Sequence, residues 1–174
     1  KGDVVYSVTK QTDFAANLMR GPLKDTGIAR VFQAARDNPS PGFQAFSDFE
    51  IYSPAGDQAA SFLAAPVLSK TGKLTGVLII QIPVGKFNAV MQVEAGMGGT
   101  GQTFIVGQDN LLRSDFRDAA VSGVKKTRIG GQAVESALKG LSGVVEAPNH
   151  QGVLVISAYA PLDFMDVRWA LLGE

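Results

Sequence analysis

A cluster of glycines near the middle of the chain limits the folds open to this sequence more than any other feature. Residues 95–101 read Ala-Gly-Met-Gly-Gly-Thr-Gly, so four of seven positions are glycine. Glycine loses more conformational freedom on folding than any other residue, so such a cluster is unfavourable inside a helix or strand and is typical of a connector. Because each half is long enough for a small domain, we predict two units, residues 1–94 and 95–174.

The first half is rich in extended patterns. Runs of β-branched and aromatic residues, bounded by turn residues, predict strands at residues 4–8, 43–52, 60–68 and 74–82. The last two are joined by the tight connection Lys70-Thr71-Gly72-Lys73, which predicts a β-hairpin. Because residues 74–82 are apolar at nearly every position, we expect that strand to be central in a sheet covered on both faces.

Helical periodicity predicts two helices in the first half. Four apolar residues recur at i, i+3, i+4 and i+7, namely Ile28, Val31, Phe32 and Ala35. Asp25 or Thr26 is available as the N-cap. The two prolines and the glycine of residues 38–42 cannot continue this helix and would end it. Residues 86–94 predict the second helix.

The second half repeats this plan without repeating the sequence. It predicts a helix at residues 132–139 and strands at residues 102–106, 111–114, 143–147, 153–161 and 167–172. Antiparallel strands joined by hairpins, with a helix inserted after the early strands, indicate an α+β fold.

Composition excludes several functional classes. Acidic and basic side chains balance at 16 each, so nothing attracts nucleic acid electrostatically. There is no cysteine, and the only histidine is His150, which excludes cysteine nucleophiles and multi-histidine zinc sites. His150 stands in a Pro-Asn-His-Gln-Gly segment that predicts an exposed hairpin tip. Without a G-x-S-x-G elbow or a phosphate-binding glycine motif, we expect no enzyme, no metal and no cofactor.

Five stretches of sequence, by their order and spacing, carry a resemblance to a known family. They are Gly2-Asp3-Val4-Val5-Tyr6-Ser7, the hairpin from Ala64-Ala65-Pro66-Val67 to Gly76-Val77-Leu78, residues 98–106, residues 109–114, and Ser157-Ala158-Tyr159-Ala160-Pro161-Leu162 ending at Trp169-Ala170-Leu171-Leu172. Together they resemble the double-Cache sensor domains of methyl-accepting chemotaxis receptors and related sensor kinases.

The resemblance implies two tandem PAS-like (Cache) modules, each a mainly antiparallel sheet with helices packed on it. Residues 1–94 would be the membrane-distal module and residues 95–174 the membrane-proximal one. The long N-terminal helix and first strand of the family would lie before residue 1. The resemblance further implies a periplasmic domain of an inner-membrane receptor, attached to the membrane by flanking helices and homodimeric in the intact receptor. A chemotaxis module, a histidine kinase or a cyclase could follow it.

The first half offers candidate residues for a small-molecule site. In PAS-like modules the ligand lies between the sheet and the helices and loops over one face, in a pocket with apolar walls and a few polar groups. Such material is present in Tyr6, Phe46, Asp48, Tyr52 and Phe62. Asp48 stands among aromatic residues, where an ionised carboxylate needs a partner or a ligand. The alternative is that the aromatics form the core and Asp48 faces solvent or caps a loop.

Two more residues bear on the nature of the ligand. Gln81 stands where amino-acid-binding members of the family carry an aspartate that pairs with the ligand ammonium group. A neutral amide cannot supply that ion pair, so the resemblance favours a small carboxylate, a polyol or another metabolite that is not an amino acid. Arg20 stands where the family places ligand-binding cations, and it is either an anion partner or a surface charge.

Other interpretations remain open. In the second half Arg113, Ser114, Asp115 and Tyr159 could line another pocket, although an internal ion pair between Arg113 and Asp115 is the simpler account. A different function is a protein-interaction module that recognises a periplasmic binding protein. That function predicts an exposed apolar patch on the surface and an empty or collapsed pocket in the first module.

Overall fold

The computed structural model describes residues 2–93 and 95–174. The chain divides into two compact units, one ending at Pro83 and one running Val84–Glu174. The first unit holds α1 (Gly27–Asp37), β1 (Ala45–Tyr52), β2 (Gln58–Leu68) and β3 (Leu74–Pro83), with a 3₁₀ turn at Ser53–Ala55. The second holds α2 (Val84–Met91), β4 (Thr103–Val106), α3 (Gln132–Leu138), β5 (Gly143–Pro148), β6 (Leu154–Phe164) and β7 (Val167–Gly173).

In the first unit, α1 covers one face of an antiparallel sheet with the order β1-β2-β3. The apolar side of α1 packs on alternate residues of β2, because every second side chain of a strand points to the same face. This core contains Ile28, Val31, Ala35, Tyr52, Ala60, Phe62 and Ala64. The structure therefore confirms the predicted helix, its end at Asn38 and the β2–β3 hairpin.

Two predictions for the first unit are wrong. Residues 4–8 form no strand, because the segment pairs with residues 15–18 only near its start and leaves Tyr6 and Val8 exposed. β3 lies at the edge of its sheet, and its Leu78 and Ile80 are 58% and 52% exposed. An apolar composition indicated burial on both faces, but strand order depends on pairing that composition does not encode.

In the second unit, α3 packs on an antiparallel sheet with the order β4-β7-β6-β5. Its core contains Phe104, Val106, Leu112, Val134, Ala137 and Leu172. The strands predicted at residues 102–106, 143–147, 153–161 and 167–172 and the helix at 132–139 are confirmed to within a few residues. Residues 111–114 form only isolated bridges, from Leu112 to Val106 and from Leu111 to Arg128.

Along the chain, the boundary between the units falls between Pro83 and Val84, eleven residues before the predicted boundary at 94/95. The reason is that α2 packs within the second unit. The ring of Phe87 meets Trp169 edge to face with centroids 5.7 Å apart, and Asn88 Nδ2 donates to Asp115 Oδ2 at 2.8 Å. The glycine cluster, at residues 95–101, therefore follows an element that already belongs to the second unit. Within the part of the chain that the structure describes, no helix has the length and apolar character to cross a membrane.

Candidate ligand-binding site

The face of the first sheet under α1 brings together three of the predicted site residues. Directly paired residues of antiparallel strands share a face, and Phe62 pairs with Gln81. The Tyr52 and Phe62 rings meet edge to face with centroids 4.9 Å apart. Both rings are fully buried, and Gln81 is half-buried at the edge strand. We call these residues, with α1 above them, the α1 face.

The other predicted residues lie elsewhere. Tyr6 is 76% exposed, and Arg20 is exposed in a turn before α1. Phe46 pairs with Leu63, which places it on the face opposite to α1. Asp48 lies in the β1 bulge, where its Oδ1 accepts a hydrogen bond from the Phe49 backbone N–H at 2.7 Å.

The acidic group that bonds to Tyr52 of the α1 face is Asp13, which the sequence did not single out. The Tyr52 hydroxyl donates to Asp13 Oδ2 at 2.9 Å, and Asp13 is 7% exposed. Burial, together with the hydrogen bond and the charge of Asp13, raises the pKa of Tyr52, so the hydroxyl stays a donor. Asp13 Oδ1 is buried without a hydrogen-bond partner among the described residues. An unsatisfied carboxylate oxygen is costly to bury, so a donor from water or a ligand is expected here.

A loop rather than a helix or strand positions Asp13. Its turns are closed by hydrogen bonds from Phe14 N–H to Gln11 C=O at 2.9 Å and from Ala16 N–H to Asp13 C=O at 3.0 Å. The same loop holds a second buried, unpartnered acceptor, Gln11 Oε1. The local sequence Lys-Gln-Thr-Asp is polar and has no periodicity, so nothing in it indicated burial.

Charged groups beside the α1 face are satisfied by structural contacts. Glu50, on β1, accepts a hydrogen bond from the Gly27 backbone N–H at the start of α1. Its other oxygen pairs with Arg30 at 2.7 Å, and Arg30 also donates to Ser47 Oγ at 3.3 Å. This cluster fixes the first turn of α1 to the sheet, since the Thr26 side chain bonds back to Leu23 C=O and caps nothing.

In the second unit, Arg113 pairs with a different partner from the one predicted. Arg113 is almost fully buried, and its Nη1 lies 2.9 Å from Asp109 Oδ1. Lys125 also donates to Asp109. Desolvation opposes ionisation of Asp109, but hydrogen bonds from Arg113, Lys125 and the Leu111 N–H outweigh it and hold the pKa at about 2. Asp115 instead accepts from Asn88, Ser122 and the Gly123 N–H, so these charges serve the fold.

The described residues contain no group of three or more side chains that could hold a metal ion.

No family model matches the sequence. The matching curated proteins include ATP synthase alpha subunits. The subunit of Janthinobacterium sp. (strain Marseille) is 33% identical over 87 residues, which are 50% of this chain and 17% of that protein. That of Haemophilus influenzae (strain PittEE) is 32% identical over 87 residues, again 50% of this chain and 17% of that protein. The chain thus spans less than a fifth of these relatives.

Solved structures with a similar fold include sensory domains. The periplasmic sensory domain of the Campylobacter jejuni chemoreceptor Tlp1 has a TM-score of 0.63 at 14% identity, over 92% of this chain and 57% of that one. The extracellular domain of the putative histidine kinase mmHK1S-Z3 has a TM-score of 0.58 at 16% identity, over 90% of this chain and 59% of that one. The ligand-binding domain of the Pseudomonas aeruginosa PAO1 chemoreceptor PctC, in complex with GABA, has a TM-score of 0.55 at 18% identity, over 82% of this chain and 58% of that one. The mixed architecture with antiparallel sheets is shared with these domains, and the chain spans just over half of each neighbour.

Proposed function

We propose that this chain is the extracytoplasmic sensing part of a transmembrane chemoreceptor and that it binds a small molecule without performing chemistry. The observation that supports this most is the fold, which is shared over nine tenths of the chain with a chemoreceptor sensory domain. Histidine kinase sensors share the fold too, so a kinase or a cyclase is an alternative output. In this proposal the chain is periplasmic, two PAS-like modules form it, and flanking helices attach a homodimer to the inner membrane.

The ligand is proposed to bind at the α1 face of the first unit. Tyr52 and Phe62 would supply apolar walls, and Gln81 and Asp13 the polar groups that orient the ligand. Asp13 adds a negative charge that would repel a small carboxylate. The structure therefore favours a ligand with hydrogen-bond donors, such as a polyol. An amine would also find in Asp13 the carboxylate that Gln81 does not provide.

Signalling in this proposal follows from differential binding. A ligand shifts the equilibrium between two arrangements of the receptor dimer only by as much as its affinities for them differ. Ordering the loop that carries Asp13 is one way for the ligand to favour one arrangement, because Asp13 bonds to Tyr52 of the core while its loop lies outside the helices and strands.

The experiment is a ligand screen of the purified chain with matched variants. Thermal shift followed by isothermal titration would cover polyols, amines, amino acids, organic acids and purines. We expect a saturable ligand whose affinity falls roughly tenfold or more in Asp13→Asn, because a charge-assisted hydrogen bond is lost. The control Asp118→Asn removes an exposed carboxylate and should leave the affinity unchanged. No saturable ligand, or an equal loss in both variants, would contradict the proposal.

A second candidate function, recognition of a periplasmic binding protein, is favoured by one observation. On the face opposite to α1, Val67, Leu78 and Ile80 are 45%, 58% and 52% exposed. Such apolar patches mark interaction surfaces. If a binding protein is retained by the chain, and Leu78→Glu abolishes retention while the surface change Lys73→Glu does not, this function replaces direct sensing.

A further inference from the structure

The second unit contains a cleft of its own, separate from the α1 face. It lies where the start of α3, the tip of the β5–β6 hairpin and the end of β7 meet, and it is lined by Gly131, Gln132, Asn149, His150, Ser157 and Glu174 among others. The volume open to the centre of a water molecule is about 20 Å³. That is room for a group the size of one water, in a cleft that is partly open to solvent.

Glu174 lines this cleft and carries an unsatisfied acceptor. Its Oε1 accepts a hydrogen bond from the Ser157 hydroxyl at 3.3 Å, and Ser157 is 4% exposed. Its Oε2 is buried without a hydrogen-bond partner in the described chain. Desolvation raises the pKa of Glu174, although Ser157, the charge of His150 and the nearby Gln102 amide all favour the ionised carboxyl. No hydrogen bond of normal geometry joins Gln102 to Oε2, so that oxygen still lacks a donor.

His150 forms a wall of the cleft. Its ring stacks on Phe116 with centroids 4.6 Å apart and an angle of 9° between the planes. The histidine was expected only as an exposed hairpin tip, and it is exposed. The stacking nevertheless fixes the ring beside Glu174. Glu174 and His150 are the titratable side chains among the described residues that line the cleft.

We propose that this cleft is a second binding site, which takes the primary ammonium group of a small amine. An ammonium group has three donors and no acceptor, and the cleft offers it acceptors in Glu174 Oε2 and the free lone pairs of Ser157 Oγ. The ammonium group is close to a water in size, so it fits the space described above while the rest of the amine extends toward solvent. Anions are disfavoured because the carboxylate would repel them.

The test uses ethylammonium chloride as the probe and the whole chain as the receptor. Two-dimensional ¹H–¹⁵N NMR should show saturable shifts of the amides of residues 149–150, 157 and 172–174. Ethanol, which has the same size without the charge, and sodium chloride at equal ionic strength should cause no saturable shift. In Glu174→Gln the apparent Kd should rise roughly tenfold or more. The matched variant Glu146→Gln changes an exposed carboxyl on the β5–β6 hairpin. It should bind ethylammonium as the unmodified chain does.

The pH dependence provides a readout that needs no variant. The pKa of Glu174 is raised, so ethylammonium affinity should fall as the pH drops through that raised pKa and the carboxylate loses its charge. Affinity that is independent of pH, equal losses in Glu174→Gln and Glu146→Gln, or shifts caused equally by ethanol would overturn the proposal. Shifts confined to residues of the α1 face, lost in Asp13→Asn, would support the first site and refute the second.

Discussion

At the scale of single residues, the carboxylates of this protein fall into two groups that differ in how fully their oxygens are hydrogen-bonded. Asp109 is saturated with partners, because Arg113 and Lys125 both donate to it. Asp13 and Glu174 each have one oxygen bonded and one buried oxygen unsatisfied. Since each orphaned buried acceptor costs free energy, the second arrangement is the one that calls for a ligand or a fixed water.

The Tyr52 hydroxyl carries the first residue-scale prediction. Tyr52→Phe removes the hydroxyl that donates to Asp13 Oδ2. Because Asp13 Oδ1 already lacks a partner among the described residues, the buried carboxylate loses the one side-chain donor described for it. We expect the free energy of unfolding to fall by about 1–3 kcal/mol, as measured by urea denaturation. Tyr6→Phe makes the same chemical change at a ring that is 76% exposed, and it should change stability by no more than about 0.5 kcal/mol. Equal effects of the two substitutions would show that the Asp13–Tyr52 bond contributes nothing.

The Asp109 network makes a prediction about acid. Its pKa is about 2 in the folded chain against an ordinary value of 3.8. A lowered folded-state pKa means that ionised Asp109 stabilises the fold above the ordinary value, and that this stabilisation is lost as the pH falls through about 2. Carboxyl NMR should place the titration of Asp109 near that value. Asp109→Asn should remove this part of the acid dependence of unfolding, whereas Asp118→Asn, at an exposed site, should retain it.

At the scale of elements, the attachment of α1 to its sheet depends on the absence of a side chain at Gly27. A Cβ built there would lie 2.5 Å from Ser47 Oγ and 3.0 Å from Glu50 Oε1. Those are the groups that hold the first turn of α1. Helix propensity alone would predict the opposite effect, because alanine is favoured over glycine in helices by about 1 kcal/mol.

We therefore predict that Gly27→Ala destabilises the chain. Displacing Glu50 from the Gly27 N–H loses a helix cap, which is typically worth about 1 kcal/mol. Gly85, in α2, has open space where a Cβ would stand, so Gly85→Ala should stabilise the protein by up to about 1 kcal/mol. Thermal unfolding of both variants measures the difference. If Gly27→Ala raised the melting temperature as Gly85→Ala does, the crowding at the α1 N-terminus would be unimportant.

Local pattern predicted the elements well and their neighbours poorly. The period of Ile28 to Ala35 predicted α1, and the glycine turn at Gly72 predicted the β2–β3 hairpin, because both are encoded over a few residues. The edge position of β3 and the loss of the strand at residues 4–8 depend on distant pairing, which periodicity does not report. The candidate site residues remain a prediction. Tyr52, Phe62 and Gln81 share the α1 face, because alternation along a strand reports which side chains share a face, although Phe46 and Asp48, also on a strand, lie elsewhere. Asp13, on a polar loop without periodicity, was not among the candidates.

At the scale of the whole molecule, two units each combine an antiparallel sheet with packed helices, which among the described residues are one α-helix in the first unit and two in the second. Each unit also places an unsatisfied carboxylate oxygen near an aromatic ring, Asp13 near Tyr52 and Glu174 near His150. The glycine cluster pointed to this division because glycine is unfavourable inside elements. It could not report that α2, which precedes it, packs on Trp169. An element next to a connector can belong to either side, and only its contacts decide.

The boundary at residue 84 gives the last prediction, on fragments. A fragment 84–174 retains the Phe87–Trp169 contact and the two hydrogen bonds between Asn88 and Asp115. A fragment 95–174 loses them, and we expect it to be less stable by roughly 2–3 kcal/mol, from one aromatic pair and two hydrogen bonds. Trp169 is the only tryptophan, so its fluorescence in urea follows this unit alone. Within fragment 84–174, Phe87→Ala should reproduce part of the loss, and Val90→Ala, at a side chain 64% exposed, should not. Equal stability of the two fragments would contradict a boundary at residue 84 and would place it at the glycine cluster instead.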